Sequence, residues 1–147
     1  RNVAIIANQA REIGIRLPLA ATSWVLIPEV KNAKSAEGMF LTHLPFDGAS
    51  PFARKFKERY GTEADFFAVQ YYSATKIFAT AAAAAMKKNR GTLNGEGIKD
   101  AIESIRAFDT IAGKLVFQPN HAAVMDIEVG VLKDGAVQVE KLIKAAH

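Results

Sequence analysis

Apolar residues along this chain recur at helical spacing, then in short runs, then at helical spacing again, and finally in alternation. The opening stretch "RNVAIIANQAREIG" sets Ala4, Ile5, Ala7 and Ile13 among Arg1, Asn8, Arg11 and Glu12, which predicts an amphipathic helix with Gly14 at its carboxyl cap. "IRLPLAATS" is a short apolar run with turn chemistry behind it and predicts a buried strand ending at Thr22 and Ser23. Pro28, with Glu29 behind it, opens a brief helix. Residues 39–42 predict a second strand, which leaves through Pro45, Asp47 and Gly48. Helix, strand, helix, strand is the order expected of a parallel sheet with helices on both faces.

Three helices follow in series. Ser50 caps the first, Pro51 takes its first position, Phe52, Phe56 and Tyr60 recur every four residues, and Gly61 ends it. The second, "ADFFAVQYYSATKIFATAAAAAMKK" over residues 64–88, gathers large rings at its start and alanines behind them. Phe67, Tyr71, Ala74, Phe78, Ala81 and Ala85 form one stripe, and Phe66, Val69, Ile77 and Ala84 make its flanks apolar as well. Lys76 interrupts the run and Asp65 and Lys87 bound it, so neither half reaches the roughly 20 residues a bilayer requires. The expectation is a core helix whose alanines admit a close neighbour and whose rings mark the end nearest a cleft. The third helix, "GEGIKDAIESIRAF", places Ile98, Ala101, Ile102, Ile105 and Phe108 on one face. The tail then changes period: "GKLVFQP" and "AVMDIEVGVLKDGAVQVE" alternate, and the turn at Lys133-Asp134-Gly135 predicts a closing hairpin.

At 147 residues, half of them apolar, the chain has the length of one ordinary domain with a sizeable core. A formal charge of +4 is scattered rather than gathered into a basic run or an Arg-aromatic stripe, which argues against nucleic acid as a partner. Without cysteine there are no disulfides or thiolate metal sites, a composition compatible with an oxidising compartment. The opening residues read as the inside of a helix rather than as a signal peptide, so the chain is expected to be a piece of something longer.

Catalysis finds little support in the residues. His43, His121 and His147 lack metal-ligand spacing, and no Ser lies in a nucleophile elbow. Gly95-Glu96-Gly97 follows no strand and lacks the rest of a dinucleotide fingerprint. Asp126 and Glu128, two apart on a strand, share one face, expected to be the solvated one. No catalytic residue, metal or cofactor is therefore assigned. Thr22, Ser23 and Trp24 are stronger candidates, because the carboxyl ends of parallel strands border the crevice where open sheets hold ligands; an N-cap with a packed Trp is the plainer alternative. Thr42 and His43 end the next strand in the same sense, as site or hinge residues.

"KSAEGMFLT", "FFAVQYYSATKIFATA", "FDTIAGKLVF" and "DIEVGVLKDG" together resemble the carboxyl-terminal half of the extracytoplasmic solute-binding proteins of branched-chain amino-acid (Leu/Ile/Val) ABC transporters, the type I periplasmic-binding fold. The resemblance covers nearly the whole chain and implies two α/β lobes that close on a small solute. It assigns residues 1–43 to the second lobe, 44–122 to the first and 123–147 to a return to the second. It implies an extracytoplasmic or periplasmic location, a membrane permease as partner and no enzymatic activity. By the same resemblance Phe67 stands where an aromatic meets the ligand side chain, and Tyr71 and Tyr72 begin the helix that backs the cleft, rings toward the site and alanines behind. Thr22 and Ser23 fall where amino-acid-binding members carry an acidic residue for the ligand ammonium, yet "LAATSW" holds no carboxylate. An ammonium would lose its charge-assisted partner there, so a carboxylic acid, aromatic acid or amide is expected to fit at least as well, with Trp24 and Phe67 as apolar walls. A cytoplasmic ligand-sensing regulator on the same fold is the alternative. A half-receptor with exposed lobe surfaces is also expected to be marginal alone or to self-associate.

Overall fold

In a computed structural model, which describes residues 2–146 apart from the side chain of Trp24, the chain is an α/β protein of two compact units. One unit runs up to Leu44 and resumes at Ile127–Lys144; the other holds Pro45–Asp126 and the last residues.

The first unit contains helix α1 (Asn2–Glu12), strand β1 (Ala20–Thr22), the short helix α2 (Pro28–Lys31), β2 (Phe40–His43), and the late strands β6 (Ile127–Lys133) and β7 (Ala136–Ile143). Short 3-10 turns at Ser23–Val25 and Lys34–Ala36 join the early elements. Its sheet runs in the order β1-β2-β6-β7, with β1 and β2 parallel and the other pairs antiparallel. The alternation of elements accounts for the parallel pair. The antiparallel part comes from the hairpin, whose late strand β6 pairs with β2. The core is Val30, Ala36, Met39, Leu41 and Leu132, walled by Val3, Ala4, Leu19, Ala21 and Val25 among others.

Caps follow the sequence closely. Pro28 occupies the start of α2, and Gly14 takes a left-handed φ of 86° after α1. Asp134 and Gly135, at φ 50° and 73°, turn β6 into β7 in the two-residue geometry that suits twisted strands. Burial departs from the sequence reading in two places. Strand β1 is an exposed edge rather than a buried strand, and Ile5 and Ile13 are exposed, because α1 packs on the rest of the unit through Val3, Ala4 and Ala7.

The second unit holds α3 (Pro51–Tyr60), α4 (Phe66–Lys88), α5 (Gly95–Ile105) and an antiparallel sheet of β3 (Ala107–Thr110), β4 (Gly113–Phe117) and β5 (Ala123–Val124). Ser50, Asp65 and Asn94 each accept a hydrogen bond from the backbone N–H three residues on, capping the three helices in turn. Of the expected stripe on α4, Ala81 and Ala85 are buried, joined by Val69 from its flank and by Ser73, whereas Tyr71 and Phe78 are 70% and 55% exposed. Helix α4 packs against α5 and β3, while Tyr72, on another face, meets Phe52 of α3. Ser73 is tolerated in the core because its hydroxyl donates to the Val69 carbonyl at 2.8 Å. A Cβ at Gly97 would lie 3.6 Å from Ala85 Cβ, an ordinary contact, and 2.6 Å from Asn89 Nδ2, so a larger residue there would displace the Asn89 side chain. Phe108 is a strand residue packed edge-to-face on Phe117 rather than the end of the helical stripe, since α5 stops at Ile105 and Arg106 turns the chain.

Gly130 marks the tightest point of the first unit. The β6–β7 register slips between Val129 and Gly130, and a Cβ at Gly130 would lie 2.6 Å from Val137 Cγ1 and 2.7 Å from the Gln138 carbonyl oxygen. Gly130→Ala should therefore destabilise the protein by about 1–3 kcal/mol in urea unfolding, and a midpoint equal to that of the parent would refute this account of the bulge.

Candidate functional site

In parallel strands, residues in register project to the same side at the same level. Thr22 and Thr42 are in register at the carboxyl ends of β1 and β2, both exposed. The next residue on each strand completes the rim. Ser23 opens a 3-10 turn and is 5% exposed, whereas His43 continues the buried face set by Leu41 two residues earlier and is half-buried. The structure thus brings Thr22, Ser23, Thr42 and His43 to one end of one sheet. The Trp24 side chain lies outside the described residues, although its backbone belongs to the turn after β1.

Glu128 joins this rim across the β2–β6 ladder, where it is the register partner of His43. Its Oε2 lies 3.5 Å from His43 Nδ1, with side-chain exposures of 21% and 17%. The Leu44 carbonyl oxygen is 3.1 Å from the same nitrogen. Two acceptors facing Nδ1 make it the protonated, donating nitrogen, and Nε2 is buried with no hydrogen-bond partner among the described residues. The expectation that Asp126 and Glu128 share a solvated face is corrected here. Alternation back from Leu132 through Gly130 puts Glu128 on the core side of β6, and Asp126, just before the strand, accepts from the Ala145 N–H at 2.9 Å. The pairing of His43 with Glu128 was invisible to local pattern because 84 positions of chain separate them. The alternating run into the hairpin was the available signal.

Phe67 and Tyr71 belong to the second unit, on the first turns of α4. Phe67 is half-buried and edge-on to Phe66, with centroids 5.6 Å apart. Tyr71 is exposed, and its neighbour Tyr72 stacks on Phe52 at 4.6 Å. Phe52 also touches Phe46 and Phe56, and Phe56 touches Tyr60, so the aromatic end of the unit is a continuous ring cluster. Helix periodicity alone did not separate the rings that pack together from those that stay in water.

The chemistry available at the β1–β2 rim is hydrogen bonding: three hydroxyls, one imidazole and a carboxylate already engaged by that imidazole. No group of three or more His, Cys, Asp or Glu side chains could hold a metal ion among the described residues. No helix among them is long and apolar enough to cross a membrane. Such a set can donate and accept hydrogen bonds but offers no metal-ligating or nucleophilic chemistry among the described residues.

A family profile described as "periplasmic binding protein" matches residues 2–136. No curated protein matches significantly. Among solved structures, a leucine binding protein, LivK, from Thermotoga maritima is 26% identical, with a TM-score of 0.78 over 97% of this chain and 42% of that one. An extracellular ligand binding receptor from Desulfohalobium retbaense is also 26% identical, with a TM-score of 0.73 over 95% of this chain and 25% of that one. A solute binding protein of an ABC transporter from R. palustris, solved with benzoate, is 19% identical and shares the fold, with a TM-score of 0.72 over 97% of this chain and 41% of that one. The chain therefore spans about two fifths or less of the length of these relatives.

The half-buried contact between β2 and β6 has a measurable strength. A double-mutant cycle with His43→Ala and Glu128→Ala should give a coupling of about 0.5–1 kcal/mol in denaturant unfolding, and a coupling indistinguishable from zero would show that the two side chains act independently.

Proposed function

The chain belongs to the periplasmic binding protein family, and from that premise we propose that it is part of the extracytoplasmic solute receptor of an ABC importer. In this reading the whole receptor captures a small organic solute between two lobes by hinge closure and hands it, unaltered, to a membrane permease. Residues 1–43 and 123–147 contribute to the second lobe and residues 44–122 to the first. The protein is a carrier and not an enzyme.

The observation that carries the reading is the convergence of Thr22, Ser23, Thr42 and His43 at the carboxyl ends of a parallel strand pair. Ligands of open α/β sheets sit in the crevice beyond such ends, where each strand delivers one side chain and the turn after it exposes backbone N–H groups. Thr22 and Ser23 donate to the solute's polar group, while Thr42 and His43 form the edge. Trp24, Phe67 and Tyr71 supply apolar and aromatic contact.

Electrostatics narrows the solute class. The β1 turn has no carboxylate, and the one carboxylate in register at this rim, Glu128, faces His43. A ligand ammonium would exchange water for neutral hydroxyls and lose a charge-assisted bond, whereas a carboxylate or amide keeps its hydrogen bonds. Carboxylic acids, aromatic acids and amides are therefore preferred over α-amino acids. The benzoate in the R. palustris protein is in keeping with an aromatic acid on this fold.

A thermal-shift screen of the full-length protein against branched-chain amino acids, aromatic acids, small carboxylates and amides tests both statements. A ligand at a hundred times its dissociation constant should stabilise the folded state by roughly 2.7 kcal/mol. Ser23→Ala should remove about 0.5–1.5 kcal/mol of that binding free energy. Shifts with amino acids alone would refute the preferred class, and recovery of a chemically altered ligand would refute the carrier.

A further inference from the structure

The second unit carries a cavity of about 630 Å³ that contains none of the rim residues described above. It lies between α5 and the end of β4, and its apolar wall is built from Ile98, Ile102, Phe117 and Pro119. That volume is within the ordinary range for small-molecule sites. Lys99 and Arg106 bring positive charge to the lining, against one carboxylate, Glu103, which lies beside His121.

Arg106 is the distinctive member. It ends α5 at φ 58° and ψ −43°, a backbone geometry that glycine holds without strain and an arginine does not. Its position is fixed from both sides: its N–H donates to the Ile102 carbonyl at 2.8 Å, and its own carbonyl accepts from the Phe117 N–H at 2.8 Å. The side-chain Nε makes only a long contact, 3.4 Å, with the Phe117 carbonyl oxygen. No carboxylate pairs with the guanidinium among the described residues, because Glu103 lies 3.4 Å from His121 and Asp100 lies 3.5 Å from Lys99. Arg106 is thus an exposed guanidinium that lines the groove beside an apolar wall without an anionic partner among the described residues. That combination matches a molecule with a hydrocarbon body and one carboxylate, which a guanidinium binds through two parallel hydrogen bonds.

We propose that this groove is a second ligand site, distinct from the strand-end rim, which takes an amphiphilic carboxylate with its hydrocarbon on Ile98, Ile102 and Phe117 and its carboxylate on Arg106. Lys99 raises the local concentration of such anions without fixing their orientation.

The test is calorimetric titration of the full-length protein with octanoate, and with octanamide as the uncharged control. Octanoate binds and octanamide binds at least roughly tenfold more weakly, because the amide cannot form the charge-assisted pair. Arg106→Gly removes the guanidinium and relieves the backbone at once, so octanoate affinity falls by roughly tenfold or more while the melting temperature stays level or rises. A residue with a merely structural role would lower the melting temperature and leave binding untouched. Lys99→Glu, an exposed change, should weaken octanoate by roughly threefold, and it keeps the test decisive if Arg106→Gly does not fold. Ser23→Ala weakens only a carboxylate taken up at the rim and leaves unchanged the octanoate binding that depends on Arg106. Absent binding, equal binding of octanamide, undiminished binding by Arg106→Gly or by Lys99→Glu, or a parallel loss in Ser23→Ala would each overturn the proposal.

Discussion

The antiparallel pairing of β2 with β6 is the constraint on which the first unit rests. It joins a strand that ends at His43 to one that begins at Ile127, with the whole of Pro45–Asp126 folded in between as a separate unit. Closing so long a loop is less costly than its length suggests, since the entropy grows only logarithmically, by about 0.6 kcal/mol for each doubling. What holds the closure is apolar packing. Leu41 and Leu132 are fully buried with Val30, Ala36 and Met39, and Leu132 exchanges backbone hydrogen bonds with Met39 and Gly38 at 2.9 Å. Without β6 and β7, the parallel pair of β1 and β2 would be a two-stranded ribbon of three and four residues, too small to be stable.

The same pairing decides the character of the rim. Because a strand alternates faces, Leu41 on the core side puts His43 on that side too, and Leu132 does the same for Gly130 and Glu128. An imidazole and a carboxylate are thereby held together, half-buried, where each strand enters or leaves the unit. Thr22 and Thr42, on the opposite phase, remain in water beside them. The hydroxyl character of the rim and its lack of an uncommitted acidic group both follow from this register.

The second unit obeys a different rule. Its long helix meets α5 with the small residues Ala81 and Ala85 buried, and Ala85 lies opposite Gly97. Tyr71 and Phe78, on its other faces, are left exposed. The relatives have more than twice this chain's length.

Local chemistry in the sequence was enough to set most of the elements. Ser50-Pro51 and Gly61 delimit α3, Asp65 starts α4, and Asp134-Gly135 makes the closing turn, because caps and turns depend on the backbone preferences of a few adjacent residues. The four stretches that suggested the solute-binding family lie entirely within the region its profile matches. Thr22, Ser23, Thr42 and His43 could be found as candidates for the same reason: the end of a strand is a local event. The tertiary structure decided which faces are buried and which distant side chains meet. Periodicity gave α4 several apolar faces and could not choose among them, whereas packing against α5 and β3 selected Val69, Ser73, Ala81 and Ala85. Glu128 looked solvated until β6 was laid against β2, and Arg106 looked like the last turn of a helix until β4 fixed it beside a cavity. Burial and partnership are properties of surfaces brought together across long stretches of chain, and no local run of residues carries them.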